Sequence, residues 1–206
     1  MTPDLFDNAP ELERFHIEDA DISFAPSIEL SKDRDELLRE LITDTPWRHV
    51  SVTIWGKTHL QPRLIAWYGD SGRQYSYSGI SLDPLPWTQA LTELRHTVEG
   101  LAGETFNSVL LNYYRNHRDS MGFHSDDERE LGPTPTIASL SVGATRTFIL
   151  KHKTRSDLKP VRLDLPSGSL IVMKGGTQKF WKHGIDKQTK PCGPRVNLTF
   201  RRIIDV

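Results

Sequence analysis

The residues best suited to chemistry lie in MGFHSDDEREL, residues 121–131, where His124 and Asp126 stand two positions apart. On a strand, residues i and i+2 point the same way, so this pair could chelate a single ion. A third ligand must come from elsewhere, and His183 in KFWKHGID is the candidate. Two histidines and one carboxylate form the facial set of non-haem Fe(II) oxygenases, which leaves coordination positions open. The chain has 8 histidines, and His-x-Asp is a short, common pattern, so His117, Asp127 and His152 stand as rival ligands.

A second group narrows the chemistry. In PRVNLTFRRI, Arg195, Asn197, Thr199 and Arg201 share one strand face, and Val196, Leu198 and Phe200 share the other. The apolar face belongs to a core. Two arginines on the opposite, inward face are costly without anions to meet, and the guanidinium fork suits a carboxylate. A dicarboxylate such as 2-oxoglutarate fits: one end chelates the metal and the far end needs a salt bridge. Asn112 and Tyr114 in NYY share a strand face and can donate hydrogen bonds to the same ligand. No Ser/His or Cys/His arrangement competes as a nucleophile.

In this order, N-x-Y, M-G-x-H-x-D-D-E, W-x-H-G and P-R-V-N-L-T-F-R resemble the AlkB family of Fe(II)/2-oxoglutarate-dependent dioxygenases. The likeness is greatest to the duplex-active DNA repair members and runs from about Val50 to Ile203. It implies a double-stranded β-helix (jelly-roll) core within a mainly β, α+β chain. Iron would sit on His124, Asp126 and His183. Asn112, Tyr114, Arg195 and Arg201 would hold 2-oxoglutarate, Arg195 taking its distal carboxylate, with Asn197 lining the same pocket. The implied reaction removes N-alkyl groups from damaged bases in single- or double-stranded DNA (1-methyladenine and 3-methylcytosine are the type substrates). It consumes O2 and releases formaldehyde, succinate and CO2.

A methyl on a Watson–Crick nitrogen is buried in a duplex, so the base must be flipped out or already unpaired. Tyr77 is expected to stack on the flipped base opposite His124, and Tyr75 to touch the base or its phosphate. Trp55, in the IWGK turn, resembles the apolar finger that fills the hole left behind. Asp127 and Glu128 follow the ligands directly, and Glu128 could accept from an exocyclic amino group. Asp127 is assigned to substrate with it, and a salt bridge is the plain alternative for Glu128. Two other functions share these residues: the same chemistry on RNA or a protein side chain, and a non-enzymatic jelly-roll binding module.

Positioning these groups requires a framework, and the patterns supply one. SKDRDELLRELITDTPW predicts a short helix capped by Ser31, with Leu37, Leu38, Leu41 and Ile42 as its stripe. Two hairpins follow, around Trp55-Gly56-Lys57 and Gly69-Asp70-Ser71-Gly72. A second helix is expected from Pro84 to Leu101, punctuated by Gly100 and Gly103. FNSVLLNYY, TIASLSVG, TRTFILKHK, VRLDLPSG, SLIVMKG and RVNLTFRRI then predict strands of a sandwich or barrel. The expected division is an N-terminal extension over 1–46, irregular to residue 26, recognition-lid hairpins and a supporting helix over 47–103, and the catalytic core over 104–206.

With 206 residues, the chain is long enough for one domain with a real core. The net charge of -1 hides an asymmetry. Residues 1–46 hold 13 acids and 4 bases, while residues 47–206 hold 14 acids and 22 bases. A basic body suits a polyanionic partner, and the lysines flanking His183, with Lys151, Lys153 and Arg155, are its expected phosphate contacts. A lone Cys192 forms no internal disulfide. With no signal-like start and no apolar span, an intracellular monomer is expected, cytoplasmic if prokaryotic.

Overall fold

A computed structural model describes residues 12–54, 57–72, 75–77, 80–82 and 84–204. Its strands, in chain order, begin with β1 (Glu13–Ile17), β2 (Ala20–Ala25), β3 (Ser51–Ile54), β4 (Lys57–Leu60), β5 (Leu64–Gly69), β6 (Tyr75–Tyr77) and β7 (Ile80–Leu82). They continue with β8 (Ser108–Tyr114), β9 (Met121–His124), β10 (Ile137–Gly143), β11 (Arg146–His152) and β12 (Val161–Leu165). The last are β13 (Ser169–Lys174), β14 (Trp181–Ile185) and β15 (Arg195–Arg201). Helices α1 (Arg34–Asp44), α2 (Gln89–Ala102) and the single turn α3 (Thr177–Phe180) interrupt them.

Seven strands form one antiparallel sheet in the order β1-β2-β13-β10-β15-β8-β5, and four form a second, β12-β11-β14-β9. The hairpins β3–β4 and β6–β7 stand apart as two-stranded ribbons. The large sheet is covered on both faces. Outward, Val109, Leu111, Val196, Leu198 and Phe200 pack with Leu37 and Leu41 of α1 and Leu91, Leu94 and Val98 of α2. Inward, Leu110, Ile137, Ile171 and Met173 meet Phe148, Leu150, Trp181 and Ile185 of the small sheet. This two-sheet sandwich with helices on one side is the jelly-roll expected. The alternation of β15 thus separates the core on one side from the polar pocket on the other.

Four local expectations need correction. Gly69–Gly72 does not turn a hairpin: β5 pairs with β8, while β6 pairs with β7 in a separate ribbon. Residues 13–25 are not irregular: β1 and β2 form a hairpin whose second strand pairs with β13. Its turn is closed by Asp19 at φ 58, a left-handed conformation that Asp tolerates better than most side chains. The α1 cap is Asp33, not Ser31; its carboxylate accepts from the Asp35 and Glu36 N–H groups at the positive end of the helix. The second helix starts at Gln89, after Pro84 and Pro86, with Thr88 accepting from Leu91 N–H.

Candidate active site

His124 and His183 are cross-strand partners on β9 and β14, with ring centroids 4.4 Å apart. The strands approach so closely there that a Cβ on Gly184 would lie 2.9 Å from the Met121 carbonyl oxygen. Phe148 of β11 stacks on His183 at 5.2 Å. Asp126 corrects the strand-alternation argument, because β9 ends at His124 and Asp126 lies in the loop beyond it. Its carboxylate nevertheless turns back to the imidazoles. Oδ1 is 4.0 Å from His124 Nε2, and Oδ2 is 3.6 Å from His183 Nε2.

These three residues are the one His/Cys/Asp/Glu group among the described residues that could hold a metal, with ligand atoms within 4.8 Å of one another. The rivals are placed elsewhere. His152 faces Asp19 at 3.3 Å and accepts two backbone N–H bonds, Asp127 is exposed against Lys153 at 3.1 Å, and His117 lies outside the group.

The protonation states suit metal binding. Burial pushes His183 down to about 3, aided by neighbouring His124 and opposed by Asp126. Desolvation likewise lowers His124, against the pull of Asp126 and the Gly122 carbonyl. His124 Nδ1 lies 3.0 Å from that carbonyl, which can only accept, so Nδ1 carries the hydrogen and Nε2 keeps its lone pair. Burial alone would push Asp126 up, but the Arg201 guanidinium, then His183 and His124, hold it below the usual carboxylate range. Arg201 Nη2 donates to Oδ1, while Oδ2 is buried without a hydrogen-bond partner. Two neutral imidazoles and an ionised carboxylate with an unsatisfied oxygen fit a divalent cation.

The same pocket is lined by Asn112, Tyr114, Arg195, Asn197, Thr199 and Arg201. Arg195 is 2 % exposed; its Nη2 donates to Ser141 Oγ at 2.8 Å, and its Nε and Nη1 have no hydrogen-bond partner. Burial lowers its pKa, opposed by Tyr114, whose ring lies 5.0 Å from the guanidinium. One arginine is therefore committed to the metal-side carboxylate, while the other, drawn to the Tyr114 side chain, keeps Nε and Nη1 without a well-aligned acceptor. That pair fits the far end of 2-oxoglutarate.

Asn112 Oδ1 accepts from Arg63 Nε at 2.7 Å; because a guanidinium only donates, this fixes the amide with its oxygen toward Arg63. Asn197 lines the pocket, but its Nδ2 donates to Ser139 Oγ and the Leu140 carbonyl and its Oδ1 accepts from Thr199. Its amide is therefore spent on the wall. Glu128 is half-buried and precedes the 3-10 turn Arg129–Leu131. Trp55 lies outside the described residues, as do the side chains of Tyr75 and Tyr77.

Sequence reasoning missed Arg63, Ser141 and Gln178, which accepts the Asp126 N–H at 2.9 Å. Arg63 follows a proline between two strands and resembles any loop arginine; Ser141 had only its place in an alternating strand as a signal. Gln178 had none.

The chain matches the 2OG-Fe(II) oxygenase superfamily over residues 23–201. It is 43% identical over 180 residues to the human protein named alpha-ketoglutarate-dependent dioxygenase alkB homolog 3, covering 84% of this chain and 62% of that one. It is 42% identical over 179 residues to human DNA oxidative demethylase ALKBH2, covering 82% of this chain and 69% of that one. The Arabidopsis thaliana protein of the same name is 36% identical over 186 residues, 77% of this chain and 59% of that one. The solved structure of OsALKBH1 shares the fold, with a TM-score of 0.64 and 15% identity over 92% of this chain and 99% of that one.

Proposed function

The chain belongs to the AlkB family within the 2OG-Fe(II) oxygenase superfamily, and from that premise we propose that it is a DNA oxidative demethylase acting on N-alkylated bases. One observation carries the reading: the His124–Asp126–His183 cluster opens into the same pocket as the unpaired nitrogens of Arg195.

His124, Asp126 and His183 would hold ferrous iron. Arg195 would take the distal carboxylate of 2-oxoglutarate, with Asn112 and Tyr114 donating beside it. Arg201 keeps Asp126 ionised and oriented, and Phe148, Met173 and Ile185 give the pocket apolar walls that exclude water. With both groups bound, the centre would supply the oxidation of an N-methyl group by O2 to N-hydroxymethyl, from which formaldehyde would leave, while 2-oxoglutarate would take the other oxygen atom and become succinate and CO2.

A nucleic-acid substrate fits the basic body, 47–206, whose 160 residues carry 22 bases against 14 acids, since phosphate contacts dominate nucleic-acid affinity; the choice of DNA follows the relative named DNA oxidative demethylase. The ribbons β3–β4 and β6–β7, in segment 47–103, would form the recognition lid over the core of 104–206. Tyr75 and Tyr77 would contact the flipped base, Trp55 would fill the gap it leaves, and Asp127 and Glu128 would face its polar edge. Segment 1–46 would be an accessory of the monomer.

The test is formaldehyde release from oligonucleotides carrying 1-methyladenine or 3-methylcytosine, as single-stranded DNA, duplex DNA and RNA, with and without 2-oxoglutarate. Release from DNA that depends on 2-oxoglutarate is expected; release from RNA alone would move the substrate to RNA, and none from any arm would end the reading. His183→Ala should abolish turnover and leave DNA binding within about twofold, since it removes a metal ligand and no phosphate contact. Trp55→Ala should impair duplex substrates more than single strands, and equal losses would remove the finger role.

A further inference from the structure

Asp126 lies beyond the last residue of β9, so no strand ladder fixes its backbone. Its N–H is instead accepted by Gln178 Oε1 at 2.9 Å. Gln178 is 1 % exposed and belongs to α3, the single turn that leads directly into the strand bearing His183. We propose that Gln178 is a positioning residue for the metal centre, holding the loop-borne carboxylate in register with the strand-borne histidine. The proposal rests on the metal-binding reading of the three ligands.

Gln178 is itself held from several sides. Its Nε2 lies 3.5 Å from Met173 Sδ, and its backbone carbonyl accepts from Lys153 Nζ at 2.8 Å. Neighbouring Thr177 accepts from Asp21 N–H through Oγ1 and donates to the Lys174 carbonyl. The turn is thus fastened to β2 and to the end of β13, neither of which carries a ligand. The loop's neighbours are also held, Ser125 Oγ donating to the Trp181 carbonyl and Lys153 bridging Asp127 and the Gln178 carbonyl, but among the described residues the Gln178 amide oxygen is the link from this frame to the backbone of Asp126 itself. Without it the buried N–H has no acceptor, and the loop must shift to find one. A loop shift moves the carboxylate, and three ligands converging on one ion tolerate little displacement.

The experiment is a Mn(II) titration of the full chain, followed by the loss of free Mn(II) in its paramagnetic resonance spectrum, beside thermal melting of the metal-free protein. Gln178→Met keeps an unbranched side chain of similar length and removes the carbonyl acceptor; Gln178→Leu is the second variant. Weakening of Mn(II) binding by about 10- to 100-fold is expected for both Gln178 variants, the range seen for groups that orient metal ligands. Gln178 variants that bind Mn(II) within about threefold of the unsubstituted protein would overturn the proposal, even if their metal-free melting temperature falls, since a merely structural role moves melting alone. If His183→Ala also leaves the titration unchanged, the metal centre fails, and the proposal falls with it for that separate reason.

Discussion

At the scale of single residues, Arg195 makes two predictions of opposite sign. A buried guanidinium with two unpaired nitrogens is a cost to the fold that is repaid only by an anion. Arg195→Met should therefore leave the metal-free protein at least as stable by thermal melting. The same change should raise the KM for 2-oxoglutarate by roughly 10- to 100-fold, from the loss of charge-assisted hydrogen bonds worth about 1.5–3 kcal/mol. A variant that melts markedly lower without changing KM would return Arg195 to a structural role. The residues that speak this way are also those that were legible in the sequence. Arg195 and Arg201 sit on a strand whose side-chain period of two can be read from the order of its residues, as can the strand that carries His124; His183 was legible only as a histidine beside a Gly turn, since the patterns marked no strand over Trp181–Ile185. Asp126 was found for a reason that did not hold, since the strand ends before it. Arg63, Ser141 and Gln178 act through contacts that join distant segments, and pattern carries no trace of those.

At the scale of elements, the link between β8 and β9 governs the site, because Asn112 and Tyr114 lie on one strand and His124 on the other. Asp119 clamps this loop by accepting from Arg115 N, Nε and Nη2 at 2.8–2.9 Å. Arg146, 1 % exposed, ties the loop to the end of β14 by donating to the Asp119 and Asp186 carbonyls. Burial raises the Asp119 carboxyl, but the Arg115 hydrogen bonds outweigh it and leave the pKa lowered. A carboxyl depressed in the folded state contributes stability above its unfolded value, near 4, and loses it as pH falls through the lower folded value. Asp119→Asn should thus cost about 2 kcal/mol near neutral pH and flatten the acid limb of a pH–stability curve. An unchanged acid limb would show that other carboxylates set it.

The six strands from FNSVLLNYY onward were readable because each alternates or runs apolar between clear breakers. The β1–β2 hairpin was not. Phe15, Ile17, Ile22 and Phe24 alternate well enough, but Glu18 and Asp19 give a turn without Gly or Asn, and the acidic surroundings resemble a solvated tail.

At the scale of the molecule, that hairpin matters more than an appendage would. Ile22 is fully buried between the sheets, and the Trp181 indole N–H donates to the Glu18 carbonyl. Ile22→Ala should cost about 3 kcal/mol, as for other buried large-to-small changes, measurable by urea unfolding. Removal of residues 1–25 should expose the β13 edge and promote aggregation; a soluble truncation with native melting would show the hairpin to be dispensable. The charge contrast between the acidic first 46 residues and the basic remainder predicts steep weakening of DNA binding with salt. Within the described residues, no helix is long and apolar enough to cross a membrane.

The order of strands has one more implication. The small sheet ends at β9 and the large one at β5, and the Ser120 N–H donates to the Pro62 carbonyl between the approaches to these two borders. The loop that carries Ser120 therefore runs from the strand of Asn112 and Tyr114 in the large sheet to the strand of His124 in the small one. Its length fixes how far apart those side chains stand, so an insertion there would separate the two halves of the pocket without touching either.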